Sequence, residues 1–535
     1  MGWHPLEQLN ELERILDTMI NKKALLSILL IVCVAGILMF TFLGTHPLLD
    51  PDEPVYAETA REMLQFQDFI SPRIYGDFWY DKPPMYYWLV AAAFKVFGFG
   101  EFAARFPSAF LAVSGAVLVY LAGRKLFNER AGLLAALVLA TSLEYFYLGN
   151  AAVTDMTLTF FLTAALLAFL NQKYYLLYGC TALAVVTKGP VALFFCGVII
   201  SLYLLVTGGL NRIKTMKAVS GSVLFALIAL PWYAVMYSLH GMAFIDTFLG
   251  FHNVTRFLQP EHASGAVWYY YIPVLILGFF PWSSLLVQTF FTAIKEKGEY
   301  RNSCIFLVIW AAVIFLFFSL SQTKLVSYIL PMYPPLALLT GYYFDKVWTE
   351  KRERALKCSA GVFTIVATLL IVGLVYAGTR VTTELMVSVK SLSVILIVLT
   401  ASVLLQSFHR NFRAVFSTQV LGAMIFFTVL MTQVLPVIAP GLSVKPFVNE
   451  FKQHYDGQAP VYVEKFYRPG FMYYSGIAGI ELSQEKLAAI TANEKDRAYL
   501  VMKKKKYEQL PPAVQNKLRP LVVQEDKFLL IHESK

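Results

Sequence analysis

The run ALLSILLIVCVAGILMFTFLG, Ala24–Gly44, carries no charge across its 21 residues. As a helix rising about 1.5 Å per residue it spans about 30 Å, the thickness of a bilayer's hydrocarbon core. Similar runs recur along the chain. Its 535 residues are 57% hydrophobic and 15% charged, with mean hydropathy +0.58, whereas a soluble protein carries roughly a quarter charged residues. The chain therefore reads as a polytopic α-helical membrane protein. The first run is too long, and lacks a small-residue cleavage site, to be a removed signal peptide. The segment before it, HPLEQLNELERILDTMINKK, reads as an amphipathic helix lying on the membrane surface.

Apolar runs predict about 13 spans, near 24–44, 104–123, 131–148, 152–170, 174–187, 189–207, 218–238, 268–290, 303–320, 327–345, 358–378, 390–406 and 414–436. With the N-terminus in the cytoplasm, 19 Lys and Arg fall in cytoplasmic flanks and 10 outside. That bias fits the orientation and places the C-terminus outside. The net charge of +10 is accounted for by these flanks, so no nucleic-acid partner is implied. The five cysteines lie in or beside apolar runs without metal-ligand spacing, so neither a disulfide framework nor a zinc site is expected. Two external loops are long, 45–101 and 238–267. The predicted division is a membrane domain, 1–437, with its working loop at 45–101, and a small external α/β domain, 438–535. In the latter APVYVEKF, RAYLVMKKKK and KFLLIHES read as strands, and VKPFVNEFKQHY, SQEKLAAITANE and PPAVQNKL as helices. The lysine run 503–506 reads as a solvated strand end.

Polar chemistry gathers on the external side. In LLDPDEPVYAETAREML, Asp52 and Glu53 precede Pro54 and mark a helix start. Its apolar positions Val55, Ala60, Met63 and Leu64 suggest a helix lying flat on the membrane. Asp52 alone would serve as an ordinary cap. In GNAAVTDMTLTFF, Asp155 stands just inside a span, where a carboxylate is costly without a partner or a polar cavity. Cations stand at external helix ends: Lys82 in YDKPPMYYW, Lys188 in VTKGPVALF, Lys324 with Tyr328 in SQTKLVSYILPMYPP, and His252, Arg256 and His262 in the second loop. Singly each is an ordinary headgroup contact. Converging on one face, they would form an anion site suited to a phosphate. The aromatic residues of DFWYDKPPMYYW would pack on a sugar or an isoprenoid chain, and the two prolines would stiffen the loop that presents Lys82.

PDEPVYAETAREML, YDKPPMYYW, EFAARFPSA, TDMTLTFFL, TKGPVAL, LPWY, HNVTRF, GFFPWS and SQTKLVSYILPMYPP run in order over residues 51–335. As a set they resemble the GT-C membrane glycosyltransferases that use polyprenyl-phosphate sugars, among them protein O-mannosyltransferases and lipid A aminoarabinose transferases. The resemblance implies a GT-C fold of about 13 transmembrane helices with a periplasmic C-terminal α/β domain, in a bacterial inner membrane. It also implies catalytic roles for Asp52, Asp155 and Glu53, and carrier-phosphate or substrate contacts from Lys82, Arg256, Lys324, Tyr328, Lys188, Tyr56, Asp81 and His252. It implies no required cofactor and leaves a divalent metal open. The chain departs from the family at Val55, where an arginine is common, and at Asp81, where glutamate is usual.

The implied reaction is inverting transfer of a sugar from a polyprenyl phosphate to lipid A or lipopolysaccharide, or to a protein hydroxyl or another glycan. No nucleotide-binding glycine loop appears, in keeping with a lipid-linked donor. A transporter or flippase for a lipid-linked sugar would need similar charges, but usually carries internal repeats and a site at mid-membrane. A non-catalytic scaffold on the same fold is the third reading.

Overall fold

The computed structural model describes residues 22–255, 267–380, 383–492 and 497–533; the proposed surface helix at residues 4–23 lies almost wholly outside them. Every predicted span falls on a helix or a bent helix pair. Among the described residues seven helices are long and apolar enough to cross a bilayer, and nine when two bent pairs each count as one span. The bent pairs are Glu129–Ala140 with Leu143–Gly149, at 65°, and Tyr271–Gly278 with Trp282–Ile294, at 110°. Four further helices in the bundle have only 15–17 residues: Asp155–Leu170, Tyr174–Lys188, Val191–Val206 and Tyr333–Thr349. Among the described residues length and composition alone thus mark nine of the thirteen expected spans.

Small residues set the closest helix approaches in the bundle, as is usual where lipid supplies no hydrophobic drive between helices. A Cβ on Gly341 would stand 2.6 Å from the Ala131 carbonyl oxygen, so Tyr333–Thr349 and Glu129–Ala140 meet backbone to backbone. Large side chains such as Trp282, Trp310 and Tyr333 fill the surrounding core.

The first external segment is more structured than a loop. It contains the helix Asp52–Gln65, a short antiparallel hairpin (Arg73–Ile74 with Asp77–Phe78) and a second helix, Met85–Phe97. Part of the apolar stripe of Asp52–Gln65 is covered by protein. Ala57, Ala60 and Met63 pack against Tyr86, Tyr87 and Val90 of Met85–Phe97 and against Tyr473 of the C-terminal domain. The expectation for the aromatic cluster is corrected. Tyr86 and Tyr87 are fully buried, and the Trp88 indole donates to the Phe69 carbonyl at 2.7 Å. These rings hold the two helices together instead of facing a substrate. Pro83 and Pro84 are buried, and Pro84 is the residue from which Met85–Phe97 starts.

One buried ion pair fixes where Asp52–Gln65 begins. Arg105, on the helix Glu101–Leu126, is wholly buried. Its Nε and Nη2 donate to Glu53 at 2.7 and 2.6 Å. The remaining N–H groups reach the carbonyls of Leu43, His46 and Pro47 at 3.1, 2.9 and 2.8 Å. All five guanidinium donors are used. Glu53 also accepts from the Leu49 and Ala152 amides at 2.8 and 2.7 Å, which fills its carboxylate. Burial pushes Glu53 up, but the Arg105 guanidinium holds it below the usual carboxylate range.

From Ser443 onward the chain forms an α/β domain whose five-stranded sheet has the spatial order Ile480–Glu481, Val461–Val463, Ala498–Lys503, Lys527–His532, Arg519–Gln524. The first three strands are parallel and the last two add antiparallel. The three predicted strands and three predicted helices are present, and two strands and the helix Arg468–Ser475 were not foreseen. In the lysine run only Lys503 ends a strand, because Lys504–Glu508 turns into a short helix and Lys506 pairs with Glu464 at 2.7 Å.

This domain is seated on the first external segment. The Val444 amide donates to Asp50 at 2.7 Å, and the Asp50 amide to the Leu442 carbonyl at 2.9 Å. A Cβ on Gly470 would stand 2.2 Å from Asp50 Oδ1, so only glycine fits that contact. Lys445 pairs with Glu101 at 2.5 Å, and Tyr474 donates to the same carboxylate at 3.2 Å. Arg61 reaches the Tyr473 carbonyl at 3.0 Å and pairs with the buried Glu58 at 2.7 Å.

Arg105→Met leaves Glu53 charged and buried without its partner, and is expected to cost about 3–5 kcal/mol. Thermal unfolding of the detergent-solubilised protein reads this, and an unshifted Tm would show that the pair does not hold the fold. A second expectation concerns pH. Burial raises the Glu58 carboxyl to about 7 from an ordinary 4.5, the Arg61 charge offsetting only part of the effect. The folded protein thus keeps a proton that the unfolded chain releases, so stability should fall as pH rises from about 4.5 to 7. Glu58→Gln should flatten that slope in a Tm-against-pH series, and an identical slope in the variant would exclude Glu58 as its source.

Candidate active site

The site forms where three helix ends meet. Asp52 lies in the first turn of Asp52–Gln65 and is exposed. The N-cap position itself is taken by Pro51. Asp155 is the first residue of Asp155–Leu170 and is buried. Lys188 is the last residue of Tyr174–Lys188 and pairs with Asp155 at 2.6 Å. The two short helices therefore end on charges that bond each other. Each placement suits the helix dipole, a carboxylate at an N-terminus and an ammonium at a C-terminus.

Tyr56 joins the elements. It sits one turn after Asp52, its ring 5.5 Å from that of Tyr86 and 5.9 Å from that of Tyr87. Burial raises its hydroxyl well above the ordinary range, and the nearby carboxylates of Asp81, Asp52 and Asp155 raise it further. Those three carboxylates thus surround one phenol. Asp81 pairs with Lys82 at 2.8 Å, both side chains being largely buried. On the other side the Lys188 ammonium lies 4.8 Å from the centre of the Tyr328 ring. Tyr328 in turn packs on Phe318, 5.1 Å between ring centres.

The structure therefore brings together Asp52, Tyr56, Asp81, Lys82, Asp155, Lys188 and Tyr328. Two predicted residues sit otherwise. Glu53 is one turn away in the saturated pair with Arg105, with no lone pair left for a substrate. Lys324 is buried, its ammonium bonded to the Ser321 carbonyl, and burial lowers its affinity for a proton. Arg256, His262 and the side chain of His252 lie outside the described residues. Among the described residues no three His, Cys, Asp or Glu side chains stand close enough to share a metal ion, and no step below is routed through one.

Sequence reading missed two buried polar residues. Arg105 was counted only among the ten external flanking charges and within EFAARFPSA, although an arginine inside an apolar helix demands a partner. Glu144, at the bend of Glu129–Gly149, was not singled out. It is buried and accepts a hydrogen bond from Tyr333, while its Oε1 has no hydrogen-bond partner.

A lattice of apolar helices, a two-helix external segment carrying the carboxylates, and an α/β domain seated upon it make up the GT-C membrane glycosyltransferase fold. An ArnT from Cupriavidus metallidurans, solved bound to undecaprenyl phosphate, superposes with TM-score 0.80 at 22% identity over 95% of this chain and 98% of that one. The archaeal oligosaccharyltransferase AglB from Archaeoglobus fulgidus superposes at 0.53, with 12% identity over 92% of this chain and 70% of that one. In sequence, residues 81–234 match the dolichyl-phosphate-mannose-protein mannosyltransferase family. The chain is also 31% identical over 358 residues to an undecaprenyl phosphate-alpha-4-amino-4-deoxy-L-arabinose arabinosyl transferase of Yersinia enterocolitica, over 63% of either chain. The match thus spans less than two thirds of that relative.

The Asp155–Lys188 pair offers a direct check. A double-mutant cycle with Asp155→Asn and Lys188→Met, followed by thermal unfolding, should give a coupling of roughly 1–3 kcal/mol. Additive single effects would mean that the two charges do not depend on each other.

Proposed function

We propose that the protein is an inverting glycosyltransferase that moves 4-amino-4-deoxyarabinose, or a closely related sugar, from undecaprenyl phosphate to lipid A. One observation carries this reading. The charge of an exposed carboxylate, Asp52, acts on the same phenol, Tyr56, as Asp81 and Asp155, each of which pairs with a lysine, at the end of an apolar bundle, a layout suited to a ligand with a lipid tail, a phosphate and a sugar.

Lys82 and Lys188 supply the positive charge that receives the departing carrier phosphate. They pair with Asp81 and Asp155 in the resting state, so they are already oriented. Arg256 and His252 would add to this set. The acceptor attacks the anomeric carbon from the face opposite the phosphate. The new glycosidic bond forms as the bond to the phosphate oxygen breaks, and the electron pair leaves with the carrier. A lipid A phosphate is already ionised and needs no base. Asp52 then stabilises the positive charge that develops on the sugar. With a hydroxyl acceptor Asp52 would take the proton instead. Tyr56 orients the sugar beside Asp52. Glu53 acts as a positioning residue, fixing the Asp52 turn. The buried placement of Lys324 supports a structural role for it. The reaction is placed at the periplasmic face of a bacterial inner membrane, with the C-terminal domain on that side, as the distribution of basic residues supports.

Transfer to a protein hydroxyl is the second reading, favoured by the family match over residues 81–234.

The test uses the purified protein in nanodiscs with undecaprenyl-phosphate aminoarabinose and lipid A, products being read by mass spectrometry. Lipid A should gain one sugar mass, and Asp52→Asn should lower kcat at least a hundredfold with Tm unchanged. Full turnover by that variant would remove Asp52 from the mechanism. Donor consumption with unmodified lipid A would redirect the search to protein acceptors.

A further inference from the structure

A second polar cavity lies at the other end of the bundle. The helix Arg301–Leu320 has 20 residues and so spans about 30 Å. One end leads to Lys324 and Tyr328 beside the candidate active site. The other follows the Lys295–Tyr300 turn, where a cavity of about 420 Å³ opens. Its walls include Gln288, Lys295, Glu296, Tyr343, Lys346 and Arg352.

Three cations face one carboxylate in this cavity. Glu296 is engaged three times, by Lys346 at 2.6 Å, by the Tyr342 hydroxyl at 2.6 Å and by the Lys297 amide at 3.1 Å. Arg352 pairs with the exposed Glu350 on the outer side. Lys295 makes no ion pair among the described residues and only approaches the Phe291 ring, at 5.7 Å. Basic residues at a membrane helix end are by themselves ordinary flanking charges. The walls of the cavity add a second observation. Gln288 Oε1 is buried with no hydrogen-bond partner. An unmet buried polar atom is costly, and a bound group with a donor would satisfy it.

We infer that this cavity binds the headgroup of an anionic glycerophospholipid from the leaflet opposite the candidate active site. Lys295 and Arg352 hold the phosphate, Arg352 exchanging Glu350 for it. Gln288 bonds the headgroup hydroxyls. The neighbouring apolar surface says why the ligand has acyl chains. Val287, Phe291 and Ile294, on the same helix as Gln288, are all more than 60% exposed, so the cavity mouth borders the lipid-facing side of the bundle. Basic pockets between membrane helices are suited to such headgroups. The inference does not depend on which reaction the other face performs.

The test uses the full chain, delipidated in neutral detergent, with dioleoyl phosphatidylglycerol, dioleoyl phosphatidylcholine or inorganic phosphate added. Native mass spectrometry counts bound lipid, and thermal unfolding reads stabilisation. Phosphatidylglycerol should bind at least fivefold tighter than phosphatidylcholine, and Lys295→Ala/Arg352→Ala should abolish that preference. Both side chains are exposed, so the double variant should fold. Gln288→Leu, which keeps every charge, should weaken phosphatidylglycerol binding two- to threefold. Equal binding of the two lipids, an unchanged preference in the double variant, or stabilisation by phosphate equal to that by phosphatidylglycerol would each overturn the assignment.

Discussion

The geometry of the candidate site rests on the Arg105–Glu53 pair. Two charges inside a membrane protein are an expense that attraction alone rarely covers. Here the remaining donors and acceptors of both groups are filled by backbone, so neither charge is left to be solvated. The backbone groups come from three places. Leu43, His46 and Pro47 end the first span, Leu49 precedes the helix of Asp52, and Ala152 stands three residues before Asp155. One pair of side chains thus sets the relative position of two helix N-termini that are distant in sequence. Each of those termini carries a carboxylate of the site.

The same logic separates residues that hold from residues that touch. Glu53 and Asp52 are adjacent in sequence, yet one is saturated and buried and the other exposed. Asp155 and Lys188 stand between these extremes, bonded to each other but beside the open group around Tyr56. A substrate phosphate would meet lysines whose carboxylate partners keep them in place, so little reorganisation accompanies binding. Lys324, in contrast, has its ammonium committed to a main-chain carbonyl.

Much of this was legible in the sequence, for physical reasons. Unbroken apolar runs announce membrane helices, and a carboxylate such as Asp155 inside one announces a partner or a cavity. Its partner, Lys188, could be named as a candidate but not paired with it, because periodicity gives the face of a helix and not its neighbour. Tyr86 and Tyr87 were misread for a related reason. Aromatic residues near a polar loop look like a ligand platform until the second helix, Met85–Phe97, is seen to bury them. Glu53 was taken with Asp52 because the two share a motif, and only the position of Arg105 tells them apart. The short helices blurred the span count, and two of them, Asp155–Leu170 and Tyr174–Lys188, end at the charges of the site. Arg256 and the side chain of His252 remain readings from sequence.

The seating of the C-terminal domain bears on how the protein is made. Asp50, two residues before Asp52, is bonded to Val444, 394 residues later. Contacts of such long range close late in folding. During synthesis the first external segment is therefore delivered long before its seat exists, and it waits through the insertion of every later span. The nascent chain carries the carboxylates of the candidate site without the full scaffold that aligns them. Completion of the C-terminal domain is then the step that finishes the candidate site, so an interrupted chain leaves the membrane with an unfinished site rather than a misdirected one.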